Sequence, residues 1–159
     1  MKKIKDYHHQ GKPIVYLDES GFAHDSPRSH GYSVCGERCF GTHDWGAKGR
    51  TNAIGALLGS SLITTTLFEC TINSDVFHAW MTQDCLPKVP KGCVIVMDNA
   101  TFHKREDTQK AIIDAGCILE YLPPYSPDLN PIEHKWAQAK AIRRKHQVNI
   151  DELFCKHVL

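Results

Sequence analysis

The sequence predicts an α/β protein, a mixed five-stranded sheet with helices packed on it. Three observations predict this class. A stretch rich in Ile, Leu and Thr and poor in charge, broken by Gly59-Ser60-Ser61, reads as an antiparallel hairpin. After it, helical patterns alternate with short apolar runs, as in units that carry parallel strands. The 159 residues, 42% hydrophobic and 23% charged, suit one well-built core and not two, so residues 1–159 read as a single domain.

The elements follow in order. Pro13 to Leu17 is an apolar run ending in Asp18, which reads as a buried strand. Glycines at 31, 36, 41, 46 and 49 then punctuate short strands and turns. Thr51 to Ile72 holds the hairpin. Asn73 or Ser74 caps a helix to about Cys85, with Val76, Phe77, Trp80 and Met81 at helical spacing. Pro87 to Gly92 is a loop, and Cys93 to Met97 a second buried strand ending in Asp98. A helix from about Arg105 to Ala115 stops at Gly116. Ile118 to Leu122 is a further strand, closed by Pro123-Pro124. A last helix runs from Pro131 to about His146.

No run approaches the ~18 apolar residues that span a bilayer, and no signal peptide is visible at the start. These features exclude membrane, secreted and fibrous classes and favour a cytoplasmic protein. Seven cysteines at irregular intervals read as reduced thiols. Cys35, Cys39 and His43 form the one local cluster reminiscent of zinc, but it lacks a paired second half. The net charge of +1 hides an asymmetry. Residues 51–87 contain no Lys or Arg, whereas residues 134–146 carry five, with two His and no acid. Lys2, Lys3, Lys5 and Lys12 add basic charge at the other end. A one-sided basic surface suits a polyanion, although a solvated helix face gives the same pattern.

The candidate chemistry lies in three acids. Two apolar strands each deliver an aspartate, Asp18 and Asp98, at the edge where open α/β sheets bind ligands. Side chains alternate along a strand, so Glu19 points away from Asp18. Glu133 follows Asn130 and Pro131 and fits a capping box, which is its structural alternative. In the last helix Ile132, Trp136, Ala139 and Ile142 form the core stripe, and Glu133, Ala137, Lys140 and Arg144 the stripe beside it. Three converging carboxylates repel unless neutralised, so at least one should have a raised pKa, and Asp98→Asn should stabilise the metal-free protein. Their hard oxygen atoms favour Mg²⁺ or Mn²⁺, and two such ions can clamp an in-line phosphoryl displacement.

Three blocks carry a resemblance: Leu17-Asp18-Glu19-Ser20-Gly21-Phe22, Asp98-Asn99-Ala100-Thr101-Phe102-His103-Lys104, and Leu122 to Trp136 (LPPYSPDLNPIEHKW). They resemble the catalytic blocks of mariner-like bacterial insertion-sequence transposases, with their DDE endonuclease domain. The resemblance spans about Tyr16 to Arg144, and the 34 residues between Asp98 and Glu133 match the family's interval. It implies an RNase H-like fold, which agrees with the element order.

The resemblance also implies a metal-dependent transposase catalytic domain that cleaves and joins DNA strands. Asp18, Asp98 and Glu133 would be its triad, holding Mg²⁺ or Mn²⁺ as two ions. Asn99 and His103 would orient the second acid or touch DNA. Lys104, Lys135, Lys140, Arg143 and Arg144 are further candidate DNA contacts, and Trp45, Lys48 and Arg50 could reach DNA from a glycine-rich segment. The implied partners are transposon ends, a TA-containing target and a second copy of the chain. Only fifteen residues precede Tyr16. The helix-turn-helix reader of family members is therefore expected on a partner chain or a missing segment. A non-catalytic, DNA-binding remnant and an RNase H-like nuclease are the competing readings.

Overall fold

The computed structural model describes residues 2–23, 50–69, 71–124, 126–147, 150 and 153–154. Ten elements are labelled: α1 (Lys2–His9), β1 (Ile14–Ala23), β2 (Arg50–Leu58), β3 (Ser61–Phe68), α2 (Ser74–Trp80), α3 (Leu86–Lys88), β4 (Val94–Met97), α4 (Glu106–Asp114), β5 (Ile118–Tyr121) and α5 (Ile132–His146). The strands form one sheet in the order β3-β2-β1-β4-β5. β1, β2 and β3 pair antiparallel, while β1–β4 and β4–β5 are parallel, so the expected mixed five-stranded sheet is present.

Alternation along the strands builds a core on each face. On one, Val15, Leu17, Ile95 and Met97 pack against Phe77 and Trp80 of α2 and Ile112 of α4. On the other, Phe22, Ala53 and Leu57 pack against Ile132, Trp136 and Ala139 of α5. Ile4 of α1 covers Val94, Val96 and Leu122 on that second face, where Tyr16 joins the two clusters.

Local signals place most ends. The Asn73 side chain accepts the Val76 N–H at 2.9 Å and caps α2. Gly116, at φ +83°, ends the α4 turn in the left-handed conformation that glycine tolerates. Three features differ from the sequence expectation. β1 runs on to Ala23, so Asp18 is mid-strand. The helix begun by α2 does not stop at Cys85; it passes through a π-helical stretch, Met81–Cys85, into α3. That stretch carries Asp84, a buried acid that accepts from Thr64 and Thr66 and pairs with Lys88 at 2.5 Å. α1 was not expected, because it anchors through little more than buried Ile4 and the Tyr7 hydroxyl, which donates to Glu120 at 2.8 Å.

Cys85, Cys93 and Cys117 are buried free thiols, the last two with sulfurs 3.5 Å apart. The Cys35, Cys39 and His43 cluster lies outside the described residues, as do Trp45 and Lys48 and the short strands and turns expected there. No described helix is long and apolar enough to cross a membrane.

Candidate active site

β1 and β4 stay paired only from Ile14–Tyr16 against Val94–Val96. β4 ends at Met97, while β1 continues on β2 alone, with Asp18 opposite Gly55. The edge of β1 is therefore uncovered just where Asp18 stands. Asn130 fills part of the gap: its buried amide donates to the Leu17 carbonyl at 3.2 Å, and its Oδ1 accepts the Ile132 N–H at 3.3 Å. One side chain thus ties β1 to the start of α5. The capping-box expectation is corrected: α5 starts one residue later, with Pro131 at the N-cap position and no side-chain cap there, and Asn130 instead bridges β1 and the Ile132 N–H.

A groove of about 420 Å³ opens at this edge, lined by Asp18, Asp98, Asn99, Asn130 and Glu133, with Pro123-Pro124 as one wall. The three acids come from β1, from the residue after β4 and from the first turn of α5. Asp18 is buried at 7% exposure. Burial first, and then the hydrogen-bonded Glu133 carboxyl and the charge of Glu19, push its pKa up to about 9. Glu133 therefore faces Asp18. The expectation that one acid of the group has a raised pKa is met at Asp18.

Asp98 behaves otherwise. Its Oδ1 lies 2.7 Å from His103 Nδ1 and accepts the Ala100 N–H at 3.1 Å. The His103 bond holds its pKa below the ordinary aspartate range. His103 is 1% exposed, and its Nε2 meets Glu19 Oε1 at 2.9 Å. Burial alone would lower the pKa of this imidazole, but the bonds to Asp98 and Glu19 outweigh that and raise it to about 10. Two expectations are corrected here. Of the two roles expected for His103, a DNA contact is excluded by its burial, and the bond to Asp98 that the other role needs is present. Asp98→Asn removes a favourable ion pair, so it does not relieve repulsion.

Among the described residues no three acids, histidines or cysteines meet as a ready-made metal cage. The donor set nevertheless fits a hard divalent cation. Asp18 faces Glu133 and holds a proton that a cation would displace, and Asp98 keeps Oδ2 free of any described partner in the same groove.

Of the candidate DNA contacts, Asn99 lines the groove. Lys104 lies 5.5 Å from the Tyr121 ring centroid and Lys140 5.3 Å from that of Phe22. Lys135 is half-buried beside Gln138. Arg143 is half-buried and Arg144 exposed, about 15 and about 17 Å along α5 from Glu133 at ~1.5 Å per residue. Arg50 begins β2. Two contributors were missed. Glu19 was read only as pointing away, and Gly55 was not singled out, although a glycine inside a strand signals close approach by another group.

A family model described as DDE superfamily endonuclease matches residues 13–153. No curated protein sequence is significantly similar. Among solved structures, the Mos1 strand transfer complex is similar at 19% identity and a TM-score of 0.64, covering 88% of this chain and 45% of that one. The catalytic domain of Mos1 mariner transposase follows at 16% identity and a TM-score of 0.58, covering 89% and 66%; that domain has also been solved with Mn. A simian T-cell lymphotropic virus intasome chain is similar at 13% identity and 0.62, covering 88% and 44%. The chain thus spans less than half the length of the first and last of these and two thirds of the second. The likenesses establish the RNase H-like fold of transposase and integrase catalytic domains. With the family match running through all three acid-bearing segments, the chain belongs to the DDE superfamily endonucleases.

Proposed function

We propose that this chain is the catalytic part of a transposase that cleaves and joins DNA strands with Mg²⁺ or Mn²⁺, held as two ions by Asp18, Asp98 and Glu133. One observation carries the reading: in a DDE-family chain, Asp18 and Glu133 touch in a groove that Asp98 also lines. When bound, the cation supplies charge neutralisation and Lewis-acid polarisation for in-line phosphoryl transfer. The chain's own residues do the rest. Asp18 gives up its proton as the site fills. Asn130 holds the two elements that carry them, and His103 holds Asp98. Asn99 and the exposed bases of α5 bind phosphate.

On this reading the substrates are transposon ends and a target with TA, a pyrimidine–purine step that kinks readily. End recognition belongs to a helix-turn-helix segment or partner chain, and two copies act together. The test is nicking of supercoiled plasmid in Mn²⁺, wild type beside Asp98→Asn. The wild type should nick and the variant should lose at least ~100-fold in rate, about 2.7 kcal/mol of transition-state stabilisation. Equal nicking by both would reject the assignment.

A further inference from the structure

Glu19 has no part in the chemistry above, yet its side chain is only 15% exposed and is spent on one partner. It leaves β1 on the face opposite Asp18 and reaches His103 Nε2 with both oxygens, at 2.9 and 3.1 Å. The other ring nitrogen, Nδ1, meets Asp98 Oδ1 at 2.7 Å. The ring has no freedom to turn. Its side chain is fully enclosed, the Phe77 ring packs at a centroid distance of 4.5 Å, and the Tyr121 hydroxyl donates to the His103 carbonyl at 3.1 Å. Asp98 Oδ1 also accepts the Ala100 N–H, which leaves Oδ2 as the oxygen available to the groove.

We propose that Glu19 is a positioning residue: acting through His103, it fixes the rotamer of Asp98 and so presets the second acid for a divalent cation. The inference rests on the proposed role of Asp98 as a metal ligand. An imidazole bonded at one nitrogen can pivot about that bond, whereas one bonded at both, to groups on β1 and after β4, cannot. Without Glu19 a buried ring N–H loses its acceptor, and the ring must move or take up water to recover one. Groups that hydrogen-bond behind metal ligands typically contribute about 10–100-fold in metal affinity.

The test is Mn²⁺ titration of the DNA-free protein, followed by electron paramagnetic resonance, with the His103 ring ¹⁵N shifts recorded in parallel. Glu19→Ala and the bulkier Glu19→Leu, both checked by thermal melting, should bind Mn²⁺ about tenfold more weakly and shift the ring signals. Glu19→Gln can still bond to Nε2 and should restore affinity to within about threefold of wild type. Folded Ala or Leu variants that bind Mn²⁺ as the wild type does would overturn the inference and leave the proposed function standing. So would a Gln variant as weak as Ala. A wild type that takes up no Mn²⁺ would overturn both.

Discussion

Asp18 and Asp98 are chemically the same residue in one groove, and their surroundings drive them in opposite directions. Asp18 is buried beside Glu133, so its folded-state pKa of about 9 stands above the ordinary 3.8. Between those values the folded state holds a proton that the unfolded chain releases. Its contribution to stability is complete below pH 4 and is lost as pH rises through about 9. Asp18→Asn removes that loss. In EDTA the variant should match wild type near pH 4 and melt higher by pH 8, by at least ~2–4 °C if the relief is ~1 kcal/mol. Asp98 has a lowered pKa through His103, so its contribution is present above the ordinary aspartate pKa and fades as pH falls. Asp98→Asn should therefore melt lower than wild type at neutral pH. Thermal melts across pH check both signs, and an Asp18→Asn variant that melts lower at pH 8 would contradict the burial account.

At the scale of elements, the site depends on how closely α5 lies on the sheet. Gly55 pairs with Asp18 across β1 and β2. A Cβ placed on Gly55 would stand 2.8 Å from Trp136 Cη2 and 3.2 Å from Cζ2, closer than packed carbons come. Trp136 is 2% exposed and makes an edge contact with Phe22, so the ring cannot swing aside. Gly55→Ala should lower stability by about 1–3 kcal/mol through overpacking. It should also lift the first turn of α5, separating Glu133 from Asp18. Melting and Mn²⁺ titration together check this: metal affinity should fall in a variant that is still folded at the assay temperature. Unchanged affinity would mean that the helix tolerates the methyl group without moving its first turn.

Across the whole molecule, the basic helices α1 and α5 pack on the same face of the sheet. That face carries Asp18, and Lys5, His8 and His9 of α1 and Arg144 of α5 are exposed. A phosphate backbone lying along α5 from the groove would be held by charge, with affinity that falls steeply with salt. Replacing Lys135 and Arg144 together by Gln should reduce the slope of log K against log[salt] by about 0.9 per lost phosphate contact, for any duplex sequence. Fluorescence anisotropy at several salt concentrations checks it. An unchanged slope would remove α5 from the DNA path.

The strands, the hairpin, three of the helices, Asp98 at the end of β4 and Glu133 in the last helix were legible in the sequence, whereas the mid-strand place of Asp18 was not. Periodicity, turn glycines and an Asn cap are local signals, fixed by residues within a few positions of each other. The core stripe Ile132, Trp136 and Ala139 emerged as buried for the same reason. Only tertiary structure decided the rest, because it turns on contacts between residues far apart in sequence. Glu19 finds His103 across 84 positions, and Asn130 reaches the Leu17 carbonyl across 113. The place where β4 stops beside a longer β1 makes the groove, and no window of sequence contains both strands. Likewise, two aspartates with the same local pattern acquired opposite pKa shifts. The sequence determined which groups could ionise; desolvation and the neighbour brought in by the fold determined which of them stays charged.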